Sequence, residues 1–251
     1  MSMQTGPVET TNKLIKIGCS GYLYRHWRSL FYPPELPSSR WLQFYSQHFA
    51  TLELNNTFYN LPTATTFDHW RDTTPADFIF SVKASRFLTH MKKLKEPQEA
   101  LAQLFERAGH LGPKLGPVLY QLPPRWRFNL ERLTTFLEAL PKGYRHTIEV
   151  RDQSWLIPQF FAALEKYGVA YCISSLPLYK TPVVATAPFV YFRFHGSGQI
   201  YDYCYTQEEI KYWSTEVQQF AEQGYPVYVY FDNDPHAYAI RNAFELIANI
   251  G

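Results

Sequence analysis

Eight short, largely apolar runs punctuate the chain: Ile15–Ser20, Thr51–Asn55, Phe78–Lys83, Val118–Leu122, Thr147–Arg151, Val169–Ile173, Phe189–His195 and Val227–Asp232. A strand with one face in water alternates apolar and polar residues, whereas a strand covered on both faces need not. These runs are rich in β-branched and aromatic residues and largely apolar on both faces, so they read as parallel strands buried beneath helices. Eight of them, mostly separated by helical periodicity, indicate βα repetition. The length, 251 residues, matches the roughly 250 of a single TIM barrel. The fold class is therefore α/β, a (β/α)8 TIM barrel. Residues 1–13 are expected to be a disordered N-terminal tail and 14–251 one barrel domain. An open doubly wound sheet is the alternative, less suited to eight strands in series.

The intervening segments support this unevenly. Leu130, Leu133, Phe136, Leu137 and Leu140 form an apolar helical stripe, and Thr206 with Glu209 fits a capping box. Asp234 as N-cap with Pro235 at the first helical position predicts the start of the last helix. Residues 174–188 show no helical period, which predicts a degenerate crossover between strands 6 and 7. Residues 21–38 read as a long aromatic, proline-bearing loop.

Net charge is +2, from 24 basic and 22 acidic residues, too weak a field to indicate nucleic acid or a membrane as a general partner. The N-terminus lacks an apolar signal region, and no stretch is long and apolar enough to cross a bilayer. Cys19, Cys172 and Cys204 are odd in number and form no CxxC, which fits reduced thiols in a cytoplasmic protein.

A buried parallel strand should be almost wholly hydrophobic, so polar residues within one are informative. They gather at the strand ends: Glu53 and Asn55, Lys83, Gln121, Glu149 and Arg151, Arg193 and His195, and Asp232. Pairs two residues apart share a face, here taken to point into the C-terminal mouth, where active sites of this fold sit. Charged groups are seldom buried together without a reason. Three carboxylates (Glu53, Glu149, Asp232) balance three cations (Lys83, Arg151, Arg193), so the cluster is neutral without a metal. No cofactor is expected, and the balance argues against a divalent metal.

Arginines suit bidentate contact with phosphate or carboxylate. Glutamates beside them favour the ionised form and so act as base or acceptor. His195 can exchange a proton near neutral pH, and Gly196 and Gly198 beside it permit close backbone approach to a ligand. Glu53, Glu149 and His195 are thus the catalytic candidates. Asn55, Lys83, Gln121, Arg151, Arg193 and Asp232 are candidate substrate contacts, with Tyr22 and Trp27 as a wall from the first loop. There is no Walker A loop, no GxSxG, no dinucleotide-binding glycine pattern and no Cys/His pair at a recognisable spacing.

The ordered motifs Gly18-Cys19-Ser20-Gly21-Tyr22, Phe31-Tyr32-Pro33, Glu53-Leu54-Asn55-Asn56-Thr57-Phe58-Tyr59, Phe80-Ser81-Val82-Lys83 and Thr89-His90 resemble the domain-of-unknown-function 72 family. So do Leu115-Gly116-Pro117, Gln121-Leu122-Pro123-Pro124, Glu149-Val150-Arg151, Arg193-Phe194-His195-Gly196 and Tyr230-Phe231-Asp232-Asn233. The resemblance runs from about Ile15 to the C-terminus. It implies a TIM barrel from a prokaryote and no established activity, and it adds Tyr59 and His90 to the site candidates. Where this chain has Asp232 the family usually has Asn, which weighs against an acid/base or metal role there and makes Asn233 a candidate for the shared contact. Where the family's sixth strand usually ends in Asp, this chain reads Ser174-Ser175.

The leading functional expectation is an enzyme on a small anionic or polyhydroxylated substrate, a sugar phosphate or phosphate ester. Whether it is a hydrolase, lyase or isomerase is left open. Arg151, Arg193 and Lys83 would hold the anion, Glu53 or Glu149 would act as base, and His195 would move a proton. A metal-dependent phosphodiesterase on nucleic acid is the second reading, with phosphate contacts from Arg25–Arg28 and Lys92–Lys95. A non-catalytic metabolite-binding module is the third. Oligomeric state is not legible in the sequence.

Overall fold

The computed structural model describes residues 12–177, 179 and 181–251. Each predicted run forms a strand within a few residues of its expected limits: β1 (Ile15–Cys19), β2 (Thr51–Leu54), β3 (Ile79–Lys83), β4 (Leu115–Gln121), β5 (His146–Glu149), β6 (Ala170–Ser175), β7 (Val190–Phe194) and β8 (Val227–Phe231). All pair in parallel, in the order β1-β8-β7-β6-β5-β4-β3-β2. The strands are buried on both faces, as their composition required.

Helices cover the outside, α1 (Trp41–Tyr45), α3 (Ala64–Thr73), α4 (Gln98–Ala108), α5 (Leu130–Ala139), α6 (Pro158–Tyr167), α7 (Gln207–Glu222) and α8 (Tyr238–Ile250), while the single-turn α2 (Asn56–Tyr59) follows the C-terminal end of β2. The stripe on α5 is buried at Leu133, Phe136 and Leu137, and the reciprocal Thr206–Glu209 box opens α7. No helix occurs among the described residues between β6 and β7, so that crossover is degenerate. Among the described residues no helix is long and apolar enough to cross a membrane.

The last helix starts later than its sequence signals suggest. Pro235 opens a short 3-10 turn, and His236 and Ala237 both take left-handed backbone (φ 54° and 57°), which delays α8 to Tyr238. Asp234 makes no side-chain cap. The tail expected over 1–13 lies outside the described residues except for Asn12 and Lys13. Asn12 turns the chain into β1, its backbone and side-chain oxygens accepting from Ile15 and Leu14 at 3.0 Å.

The β1–β2 seam is the joint that closes the barrel. No continuous ladder joins these strands. A single bridge pairs Ser20 with Glu53, and the Gly21 N–H donates to the Glu53 carbonyl at 2.8 Å. One step below, the buried Tyr45 hydroxyl is wedged between the strands. It accepts from the Cys19 N–H at 2.7 Å and donates to the Thr51 carbonyl at 3.1 Å. Gly18 permits this approach, because a Cβ there would lie 2.2 Å from the Thr51 oxygen. Tyr45→Phe should leave both backbone groups buried and unpaired, costing about 1–3 kcal/mol. A lowered denaturant midpoint at unchanged m would register it; an unchanged midpoint would mean that the hydroxyl does not hold the seam.

Candidate active site

Within each strand residues i and i+2 share a face, and the interior face becomes polar towards the C-terminal ends. Near the N-terminal ends Ala170, Phe189 and Tyr228 belong to an apolar interior cluster. One step up, the Tyr191 and Tyr230 rings lie 5.1 Å apart, with hydroxyls at 2.6 Å from Ser81 Oγ and 2.7 Å from Thr51 Oγ1. Above them stand Ser20, Glu53, Lys83, Gln121, Glu149, Ser174, Arg193 and Asp232. Asn55, Arg151 and His195 come one step later on their strands.

Arg193 is the hub and is completely buried. Its Nε donates to Glu53 (3.1 and 3.0 Å to Oε1 and Oε2). Nη2 reaches Glu53 Oε1 at 2.6 Å, Asp232 Oδ2 at 2.9 Å and Ser20 Oγ at 2.9 Å. Nη1 donates to Glu149 Oε2 at 2.8 Å. One guanidinium thus ties together residues from β2, β5 and β8 and the ends of β1 and its own β7, with its fork of donors occupied by the protein.

The carboxylates are equally engaged. Ser20 and Tyr191 donate to Glu53 as well, Tyr191 at 2.6 Å, and Asn55 Nδ2 braces Ser20 Oγ at 2.7 Å. Glu149 accepts from Gln121 Nε2 at 2.9 Å. Arg151 Nε lies 2.6 Å from Glu149 Oε1, but off its N–H direction, so the contact is an ion pair and not a hydrogen bond. Burial pushes the Glu149 carboxyl up, yet the charges of Arg151, Arg193 and His195 outweigh it and hold the group well below the usual range. Asp232 is likewise raised by burial and lowered further by Arg193, His195 and Lys83, for a net downward displacement.

His195, fully buried, lies between two carboxylates: Nδ1 is 3.0 Å from Asp232 Oδ2 and Nε2 is 2.9 Å from Glu149 Oε1. Nε2 also meets Nη2 of Arg151 at 3.0 Å and Nη1 of Arg193 at 3.3 Å. That nitrogen can therefore donate to a carboxylate or accept from a guanidinium without turning the ring. The line Asp232–His195–Glu149 is a path along which a proton can move between the mouth and the interior. Asp232 Oδ1 has no hydrogen-bond partner among the described residues.

Lys83 behaves differently from both arginines. It ends β3 with its side chain buried, and its ammonium sits 4.6 Å above the Phe58 ring. It has no hydrogen-bond acceptor and no ion-pair partner among the described residues. Burial, followed by the neighbouring Arg193 charge, brings it down to about 8, against the partial support of Asp232, Glu53 and Glu149. His90 packs edge-on against the same Phe58 ring at 5.0 Å. Burial and the cations Lys83, Arg86 and Arg151 lower it to about 4, so its ring is neutral at physiological pH.

Glu53, Asn55, Lys83, Gln121, Glu149, Arg151, Arg193, His195 and Asp232 therefore assemble at one end of the barrel, with His90 beside them. Tyr59 stands at the rim, 79% exposed. Three expected site residues lie elsewhere. Trp27 is completely buried in an aromatic cluster with Tyr24, Phe31 and Tyr32, and its Nε1 donates to the Asp234 carbonyl at 2.9 Å. Tyr22 is taken up by Trp70 of α3 and by the Tyr32 hydroxyl on its carbonyl. Asn233 is buried and donates to the Tyr203 carbonyl at 2.7 Å and Asn242 Oδ1 at 3.0 Å, tying β8 to α8.

Reasoning from the sequence missed Ser20, Tyr191 and Tyr201. The first two were open to the same i, i+2 argument, being two residues from Gly18 and Arg193 respectively, but that argument followed charges and passed over hydroxyls. Tyr201 left no signal. A left-handed backbone (φ 70°) in the loop after β7 sets its ring edge-on to His195 at 5.7 Å.

A family model described as "Protein of unknown function DUF72" matches residues 16–251. UPF0759 protein YunF of Bacillus subtilis (strain 168) is 26% identical over 254 residues, spanning 86% of this chain and 88% of YunF. UPF0759 protein YecE of Escherichia coli (strain K12) is 33% identical over 129 residues, which span 50% of this chain and 44% of YecE. The crystal structure of a DUF72 family protein from Thermotoga maritima MSB8 superposes with a TM-score of 0.85 at 29% identity, covering 92% of this chain and 97% of that one.

Proposed function

The chain belongs to the DUF72 family of proteins of unknown function, and from that premise and the geometry of the barrel mouth we propose that it is an enzyme acting on a small anionic or polyhydroxylated substrate, such as a sugar phosphate or phosphate ester. The observation that carries this reading is an imbalance of engagement within a charge-neutral cluster. Arg193 is occupied on every side, whereas Lys83 and Nη1 of Arg151 have no acceptor among the described residues. Cations held at a barrel mouth with donors to spare are suited to an incoming anion.

Roles follow from access. Glu53 and Arg193 are sealed beneath the mouth and hold the other groups in place. Arg151 is the anion contact. Asp232 Oδ1 accepts from a substrate hydroxyl, a role that asparagine would fill equally well, and the Asp232–His195–Glu149 line moves the proton. Glu149 then acts through His195 rather than on the substrate. The groups most suited to metal ligation already hold guanidinium N–H groups, which favours this reading over the metal-dependent phosphodiesterase.

Thermal-shift titration with inorganic phosphate, sugar phosphates and carboxylic acids tests it. An anion at 100 times its Kd should stabilise the protein by roughly 2.7 kcal/mol. Arg151→Gln should weaken that anion by about 10- to 100-fold, the worth of a charged hydrogen bond. Indifference of the wild-type protein to every anion, or equal response of the variant, would overturn the proposal.

A further inference from the structure

Resting on the reading of the mouth as a catalytic site, we infer that Lys83 is a nucleophile that forms an imine with an aldehyde or ketone group of the substrate. A lysine ammonium inside a protein is ordinarily compensated by a carboxylate or by carbonyl oxygens. Lys114 shows the ordinary case in this chain, donating to the Arg71 and Thr74 carbonyls. Lys83 has no such partner although three carboxylates stand in the same ring, because Arg193 and His195 engage all three. Its neighbours are the face of Phe58 and the repelling charge of Arg193. Burial and that charge outweigh the pull of the ring face on a cation and favour the neutral amine, which is the form that attacks a carbonyl.

The step balances without a redox partner. The lone pair of Nζ forms the new N–C bond as the carbonyl π bond breaks, and the oxygen takes a proton to give a carbinolamine. The nitrogen gives up one proton as the carbinolamine forms and its second as the C–O bond breaks, and the oxygen leaves as water after taking a second proton. One amine and one carbonyl become one imine and one water. The Asp232–His195–Glu149 line supplies and recovers the protons, and Arg151 holds the anionic end, which narrows the substrate to a carbonyl compound bearing a carboxylate or phosphate.

The test is reductive trapping on the full chain. Glyoxylate and glycolaldehyde, small enough to enter the mouth, are incubated with the protein and cyanoborohydride at pH 7 and pH 8.5. Peptide mapping then gives the modification rate of each lysine. Lys83 should be modified at least tenfold faster than the exposed Lys93 or Lys95, and faster at pH 8.5 than at pH 7. In Lys83→Arg the dominant adduct should vanish while the surface adducts persist. Modification of Lys83 no faster than the surface lysines overturns the inference. If phosphate or carboxylates still stabilise the protein in an Arg151-dependent way, only the imine falls; if they do not, the reading of the mouth falls with it.

Discussion

Arg193→Met is expected to destabilise the protein by about 3–5 kcal/mol, the loss typical of removing one partner from a buried ion cluster. The methionine fills much of the volume but leaves Glu53 and Asp232 in the interior with no guanidinium, and Glu149 with Arg151 alone. The pH dependence should weaken as well. In the native chain Glu149 and Asp232 titrate below their ordinary values. Their contribution is therefore present above about pH 4, where the unfolded carboxyls are ionised, and is lost as pH falls through the lower folded values. In the variant Asp232 loses the largest of the charges that oppose its burial and Glu149 keeps only Arg151 and His195, so both titrate higher than in the native chain, and the stability gap between the two proteins should narrow as pH falls from 7 towards 5. Denaturant unfolding of both proteins at pH 7 and pH 5 reads the difference. A gap that is small and the same at both pH values would show that Arg193 is not the countercharge.

Lys83→Met is expected to act in the opposite direction: a more stable protein with no activity. Lowering a lysine from 10.5 to about 8 corresponds to about 3 kcal/mol carried by the folded state as a burden whenever the group is protonated in both states. Below pH 8 that burden is present in full. Between pH 8 and the unfolded value the folded chain binds fewer protons than the unfolded one, so native stability rises with pH and the burden fades. The variant should thus exceed the native protein by about 2–3 kcal/mol at pH 7, and the excess should shrink steadily above pH 8. Melting curves of both proteins from pH 7 to pH 10 decide it. A variant no more stable than the native chain at pH 7 would mean that the ammonium is well compensated, against the imine chemistry. Stability given up for an uncompensated reactive group is the usual mark of a functional site.

The barrel was legible because its strands have water on neither side. Ile148, Phe192 and Val229 sit in runs that no half-exposed strand would tolerate. The polar ring was legible for the converse reason, since Glu53, Glu149 and Arg193 have no business in such runs unless they meet. The division of labour within the ring was not legible. The sequence presents Arg193, Arg151 and Lys83 as equivalent cations, and only the barrel's closure decides which one is surrounded by carboxylates. Trp27 and Asn233 show a similar limit. Both flank strand ends in the sequence, yet the loop after β1 folds Trp27 into an aromatic cluster and the turn after β8 directs Asn233 at α8. The start of α8 was displaced by two left-handed residues, neither of them glycine, that no propensity would propose.

The seam between β1 and β2 gives the polar ring a mechanical meaning. Around most of its circumference the wall is a hoop stitched by peptide groups, and at this joint the stitching reduces to one bridge, one main-chain bond and the hydroxyl of Tyr45. Directly above it, Arg193 grips Ser20 on one lip and Glu53 on the other. The ion cluster is thus a clasp under hoop tension as well as a chemical apparatus. A lineage that altered Glu53 or Ser20 to change the chemistry would loosen the hoop at its weakest joint, whereas substitutions at Lys83 or Arg151, away from the clasp, leave the wall intact. Chemical novelty in this barrel is therefore freest on the side of β3 and β5 and most constrained where the ends of the sheet meet.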